Sequence, residues 1–192
     1  MLSLRTHRIW SSLAIPLLII GAQLAAAQDT GSSKAARSRA DIDKESADVL
    51  KDFKELKGAE ALFNKAAGYA TFKVTKAGFG ASGAGGGGVA VDKKTGARTY
   101  MRMGSAGVGL TFGASRYDIV ILFETPEKFA TFAQGGWDSS ATAQATAGHS
   151  GAEVSSTFFD GVAYYQIGRK GLMASADVSG TRFWVADELN RK

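Results

Sequence analysis

A chain of 192 residues with 23 basic and 18 acidic side chains carries a net charge of +5 and contains no cysteine. So mild a basic excess does not by itself point to nucleic acid. Without cysteine there is no disulfide, no thiolate metal site and no cysteine-linked lipid.

The first predicted element is an export signal. Arg5 and Arg8 precede the apolar run Leu13–Ile20, and Leu24-Ala25-Ala26-Ala27 sets small residues before Gln28. Positive charge, apolar core and small residues in that order make a secretory signal peptide. The run falls short of the roughly 20 apolar residues of a spanning helix, and Pro16 breaks it. The expectation is a signal over residues 1–27, cleaved near Ala27/Gln28, and a periplasmic or secreted product; retention as an anchor is the alternative. Residues 28–38 are small and polar and predict a disordered leader. Residues 39–192 then form one domain, long enough to bury a core.

Helices come next. Ser38 and Asp41 offer a capping-box-like start, Gly58 a stop, and Ile42, Val49, Phe53 and Leu56 fall on one stripe. This helix is net acidic, with four lysines and six carboxylates over Ala40–Lys57. A membrane-lying helix usually carries basic residues across its polar face, so the pattern favours a helix covering the domain's own core. A second helix is predicted over Ala59–Ala67.

From Tyr69 the pattern becomes β. Strands are predicted at Tyr69–Val74 and Gly85–Val91, with a turn at Asp92–Gly96 leading to Ala97–Met103. Val108–Ala114 and Tyr117–Glu124 read as a further pair. Thr125-Pro126 starts a helix that Gly135-Gly136 closes. Val162–Ile167 and Leu172–Val178 flank Gly168-Arg169-Lys170-Gly171 as a hairpin, and Thr181–Val185 is the last strand. The fold class expected is α+β, with N-terminal helices packed on a strongly bent antiparallel sheet or barrel-like sheet. A membrane-spanning β-barrel fits poorly, because the strands are few and helices interrupt them.

Little in the chain suggests catalysis or a cofactor. After cleavage His149 is the one histidine left, and no acidic spacing suits a metal. No acid–base pair stands out; Asp118, Glu124 and Asp160 are the carboxylates that folding would have to bring together. Gly78-x-Gly80-x-x-Gly83 formally matches a dinucleotide fingerprint, but the Gly85–Gly88 run that follows is a poor helix start. Glycine there permits a bend, a bulge or close approach of strands.

The basic residues are concentrated. Gly58–Arg102 holds Lys65, Lys73, Lys76, Lys93, Lys94, Arg98 and Arg102 against Glu60 and Asp92. Alternation puts Arg98, Tyr100 and Arg102 on one strand face and Met101 and Met103 on the other. Such a row can hold a phosphate or an acidic headgroup, or it can be a solvated face with tyrosine packed on arginine stems.

Ala66–Val91, with its Lys-Ala-Gly-Phe-Gly core and glycine string, resembles the opening of a SYLF lipid-binding domain. The likeness continues in order through Tyr100–Gly104, Gly107–Leu110, Asp118–Glu124, Phe132–Trp137, Lys170–Leu172 and Asp187–Asn190. It is nearest to the exported bacterial branch of that family. The resemblance implies a non-enzymatic domain; eukaryotic members bind phosphoinositide-containing membranes, and some regulate actin. The expected ligand here is anionic lipid or a membrane surface, contacted by Lys73, Lys76, Arg98, Tyr100 and Arg102. Gly78, Gly80 and Gly83 would allow close backbone approach. No cofactor, metal or nucleic acid is expected. The alternative is a structural or protein-interaction module of the cell envelope.

Overall fold

The computed structural model describes residues 38–142, 154, 157–168, 171–173 and 180–191. The signal, the leader up to residue 37, His149, the Arg169–Lys170 turn and the far end of the Leu172–Val178 strand lie outside the described residues; Ser38, expected to end the leader, already belongs to a helix. No described helix is long and apolar enough to cross a membrane.

Helix α1 covers residues 38–54 and buries Ile42, Ser46, Val49 and Phe53 along one face. It ends four residues before Gly58, and Leu56 lies half-buried in the bend beyond it. Gly58 was expected to stop α1. Instead its left-handed backbone (φ 86°) starts α2, Ala59–Lys65, because the chain must reverse there and glycine does so without a Cβ penalty. Lys93 Nζ caps the end of α2 by donating to the Phe63 carbonyl at 2.6 Å, and it also lies over the Phe63 ring.

The centre of the fold is one long antiparallel ribbon. Strand β1 runs Gly68–Asp92 and β2 runs Arg98–Phe123, joined at the expected turn, where Gly96 takes φ 71°. Val108–Ala114 and Tyr117–Glu124 therefore do not pair with each other. Both belong to β2 except Glu124, which lies just beyond it, and β2 pairs with β1. The ladder is continuous from Gly68↔Phe123 to Phe79↔Phe112 and from Ala81↔Val108 to Val91↔Arg98. At the shift between them, Gly80 alone faces three residues, Gly109, Leu110 and Thr111. Two extra residues, rather than one, keep the alternation in phase. Met101 and Met103 therefore enter the same core as Ile119 and Ile121.

Beyond the shift the ribbon folds back on itself. A Cβ on Gly86 would overlap the Lys73 carbonyl oxygen, and one on Gly88 would overlap that of Thr71. Glycine is what lets the two limbs of β1 touch backbone to backbone.

Three further strands complete the sheet. β3 (Val162–Gly168) pairs with the end of β2, β4 (Gly171–Met173) pairs with β3, and β5 (Arg182–Val185) pairs with Met101–Gly104. Among the described residues no strand joins β4 or β5 back to β1, so the sheet is curled but open. Helix α3, Pro126–Gly135, plugs the inner face; the Thr125 side chain caps it, and Gly136 ends it at φ 70°. Residues 139–142 are the described part of α4, and Asp187–Asn190 form the single turn α5. The inner core is aromatic. Phe72, Phe123, Phe132, Trp137 and Phe183 stack with neighbouring centroids 4.7–6.4 Å apart. On the other side of the sheet, α1 and α2 cover Val120, Leu122, Tyr165 and Ile167. The expected α+β class, with helices on a strongly bent antiparallel sheet, is the class observed.

Candidate functional site

Alternation along β2 places Arg98, Tyr100 and Arg102 outward, opposite the buried Met101 and Met103. The row does not stand alone on a bare strand. Arg98 Nη1 lies 2.7 Å from Asp43 Oδ2 of α1, and the Tyr100 hydroxyl donates to the same oxygen at 3.0 Å. Asp43 Oδ1 is buried and accepts no hydrogen bond from the described protein groups. At the other end, Arg102 donates through Nε and Nη2 to Glu188 Oε1 at 3.1 and 2.8 Å. Between them, Asn190 accepts from the Tyr100 N–H and donates to its carbonyl, at 3.0 and 2.7 Å. The row is thus clamped by α1 on one side and α5 on the other.

The electrostatics follow from these pairs. The Asp43 carboxylate, the largest influence on Arg98, raises the guanidinium pKa, and hydrogen bonding from Arg102 lowers that of Glu188. Partial burial is the main reason that the Tyr100 hydroxyl is raised, with the Asp43 hydrogen bond next. Both guanidinium groups keep access to solvent, with side-chain exposures of 50 % for Arg98 and 44 % for Arg102. The row therefore holds oxyanions by charge-assisted bonds at positions that solutes can reach.

The two lysines sit elsewhere. Lys73 and Lys76 lie on the first limb of β1, three residues apart with no register shift between them, so they point to opposite faces. The five side chains expected to contact lipid therefore do not all lie on one strand face. Lys73 faces Asp118 across the ladder. Gly78, Gly80 and Gly83 flank or occupy the register shift, where they form the bend of the ribbon.

Asp118 is half-buried beneath α1. Burial holds its carboxyl above the ordinary aspartate range; Lys73 counteracts this, and Asp52 and Glu45 push it further up. A raised folded-state pKa means that ionisation opposes folding, so stability declines as pH rises from about 4 through the folded value. Asp118→Asn is accordingly expected to raise the melting temperature at pH 7, with the gain shrinking as the pH falls toward 4. Thermal scans across that range check it; an unchanged or lower melting temperature at pH 7 would count against the assignment. Asp118 lies six residues before Glu124, roughly 20 Å along an extended strand, and Asp160 pairs with Lys128 at 3.0 Å. Glu124 Oε2 lies 3.8 Å from the Cβ position of Gly161, beside Asp160, but Asp118 stays apart from both, so folding does not bring all three carboxylates together.

Several residues at the site escaped the sequence reading. Asp43 lies 55 residues from Arg98, and no local pattern marks it as the partner. Glu188 and Asn190 belong to the terminal motif but gave no sign of their target. Trp184 and Arg182 share the outer face of β5, as simple alternation in Thr181–Val185 would have shown.

Residues 104–192 match the family described as "Ysc84: Las17-binding protein actin regulator". A relative from Aeromonas veronii, "Beta cell expansion factor A", is 39 % identical over 141 residues. The alignment covers 73 % of this chain and 54 % of the relative, so the chain spans about half of that protein's length. The chain carries a SYLF domain of the Ysc84 family. Neither description names a reaction; one is of a regulator that binds another protein, the other of a factor. The SYLF motifs now acquire physical roles. In Phe132–Trp137 two aromatic residues fill the core, and Gly136 lets the end of α3 meet the Phe183 backbone. Asp187–Asn190 is the α5 side of the clamp, and Tyr100–Gly104 carries part of the row that it holds.

Proposed function

We propose that this SYLF protein is an exported, non-enzymatic module that binds anionic lipid at a membrane surface. One observation carries the reading: Arg98, Tyr100 and Arg102 present oxyanion donors on one strand face, each already engaged with a carboxylate and each guanidinium half-open to solvent. A lipid phosphodiester is likewise an anionic acceptor that arginine binds through charge-assisted, often bidentate, hydrogen bonds. Lys73 and Lys76 add positive charge on the other limb. Export, as the N-terminal 27 residues suggest, would place the protein among bacterial envelope lipids rather than beside actin.

Co-sedimentation with vesicles tests the reading. Recovery on equal parts phosphatidylcholine and phosphatidylglycerol is expected to exceed recovery on phosphatidylcholine alone, and to fall with salt. The double variant Arg98→Gln/Arg102→Gln is expected to bind the anionic vesicles about tenfold more weakly, a loss of about 1.4 kcal/mol. Equal, salt-insensitive recovery on both vesicles would sink it.

The internal pairing itself favours a second reading. Asp43 and Glu188 already neutralise the two arginines, as in a structural or protein-interaction module of the envelope. That reading requires no vesicle recovery and a specific protein partner after crosslinking.

A further inference from the structure

We infer that Trp184, flanked by Arg102 and Arg182, is an interfacial anchor that seats the domain in the headgroup layer of an anionic bilayer. This inference rests on the lipid-binding reading and assigns it a surface that the basic row alone does not define.

Trp184 is 46 % exposed, whereas its neighbour Phe183 is buried in the inner core. The strand spends a large aromatic side chain on its outer face. The indole is not loose there. A Cβ on Gly104 would come within 3.1 Å of Cη2 and 3.3 Å of Cζ3, so the benzo edge of the ring lies against a position that has no side chain. Trp184 pairs in register with Arg102, and Arg182 pairs with Gly104, so the indole has a guanidinium-bearing residue on either side. Arg182 is exposed and Arg102 is half-open.

The surface beyond Trp184 changes character. From Met103 to Ser115 β2 has no charged residue, and neither has β1 from Ala77 to Val91. Ala106, Gly113 and Ala114 on this ribbon are exposed. The order along the strand is therefore arginine row, tryptophan, then uncharged ribbon. A bilayer interface presents the complementary order of phosphate, headgroup boundary and acyl region. Tryptophan concentrates at that boundary because its ring is apolar and its N–H still needs a partner. Of the acids nearby, Glu188 is held by Arg102, and Asp187 lies on the exposed turn α5. With Asp43, which is held by Arg98, these acids equal Arg98, Arg102 and Arg182 in number, so the patch meets anionic lipid through its half-open guanidinium groups and not through a net positive charge.

The full chain and Trp184→Phe supply the test. Their difference in emission isolates Trp184 from Trp10 and Trp137. With equal parts phosphatidylcholine and phosphatidylglycerol, the difference spectrum is expected to shift to the blue and to be quenched when the acyl chains are brominated. Trp184→Ser is expected to bind these vesicles about tenfold more weakly with unchanged far-ultraviolet circular dichroism. If that variant does not fold, the quenching of the unaltered chain still decides. Vesicle binding without quenching of Trp184 overturns the anchor and leaves lipid binding standing; absence of vesicle binding removes both. A spectral response confined to soluble oligosaccharide, or loss of self-association in Trp184→Ser by light scattering, would assign the surface to a sugar or a second copy instead and overturn the anchor.

Discussion

Substituting alanine along Gly85–Gly88 is expected to give a period-two pattern of damage. Gly86→Ala and Gly88→Ala should each cost about 3 kcal/mol or more, the upper part of the usual range for overpacking. Gly85→Ala and Gly87→Ala should change stability by less than about 1 kcal/mol. The reason is the crossing of the two β1 limbs. At positions 86 and 88 the new methyl would meet the carbonyl oxygens of Lys73 and Thr71, which are backbone atoms inside a ladder and cannot rotate away. At position 85 the nearest atom is the Met103 oxygen at 3.8 Å, and at position 87 it is Ile42 Cδ1 at 3.6 Å, both ordinary contacts. Since a domain is stable by only about 5–15 kcal/mol, Gly86→Ala combined with Gly88→Ala should not fold at all. Urea unfolding of the four single variants measures this. A uniform loss across the run would mean that glycine serves flexibility here rather than contact.

Truncating Phe132 to alanine should cost about 3–5 kcal/mol, as removal of a fully buried ring does. Phe132 has no exposure and touches four aromatic partners: Phe72, Phe123, Trp137 and Phe183. These belong to β1, β2, the α3–α4 connection and β5, so one ring joins elements that lie up to 111 residues apart in the chain. Such a void cannot collapse easily, because each wall is held in its own ladder or helix. Near-ultraviolet circular dichroism from Trp137 should fall together with the urea midpoint. Phe159→Ala, at a half-exposed position, should stay within about 0.5 kcal/mol. If both substitutions cost the same, the aromatic cluster is not the inner core.

These expectations separate local from non-local information in the chain. The α1 stripe, the Thr125 cap, the Asp92–Gly96 turn and the β3–β4 hairpin all depend on residues within a few positions of one another. Each was legible. The long ribbon was not, because residues 104–107 and Ser115-Arg116 lay between the predicted strands. Their N–H and C=O groups can join a ladder only when a partner strand arrives, and their partners lie 19 to 41 residues away. The stop at Gly58 failed for a related reason: a left-handed glycine more often ends a helix, but here the chain reversal that docks α2 places it at a helix start.

The candidate site divides the same way. Alternation alone put Arg98, Tyr100 and Arg102 on one face with the methionines behind them, because a strand has a side-chain period of two wherever it lies. The same period sets Lys73 and Lys76 on opposite faces, although both were named as lipid contacts. Composition also concentrated the basic residues between Gly58 and Arg102. Which of those charges are engaged with carboxylates came from the fold: Asp43 reaches Arg98, and Glu188 reaches Arg102, only once α1 and α5 dock on β2. Charge pairing depends on distance in space, and a chain 192 residues long does not encode those distances in any local pattern.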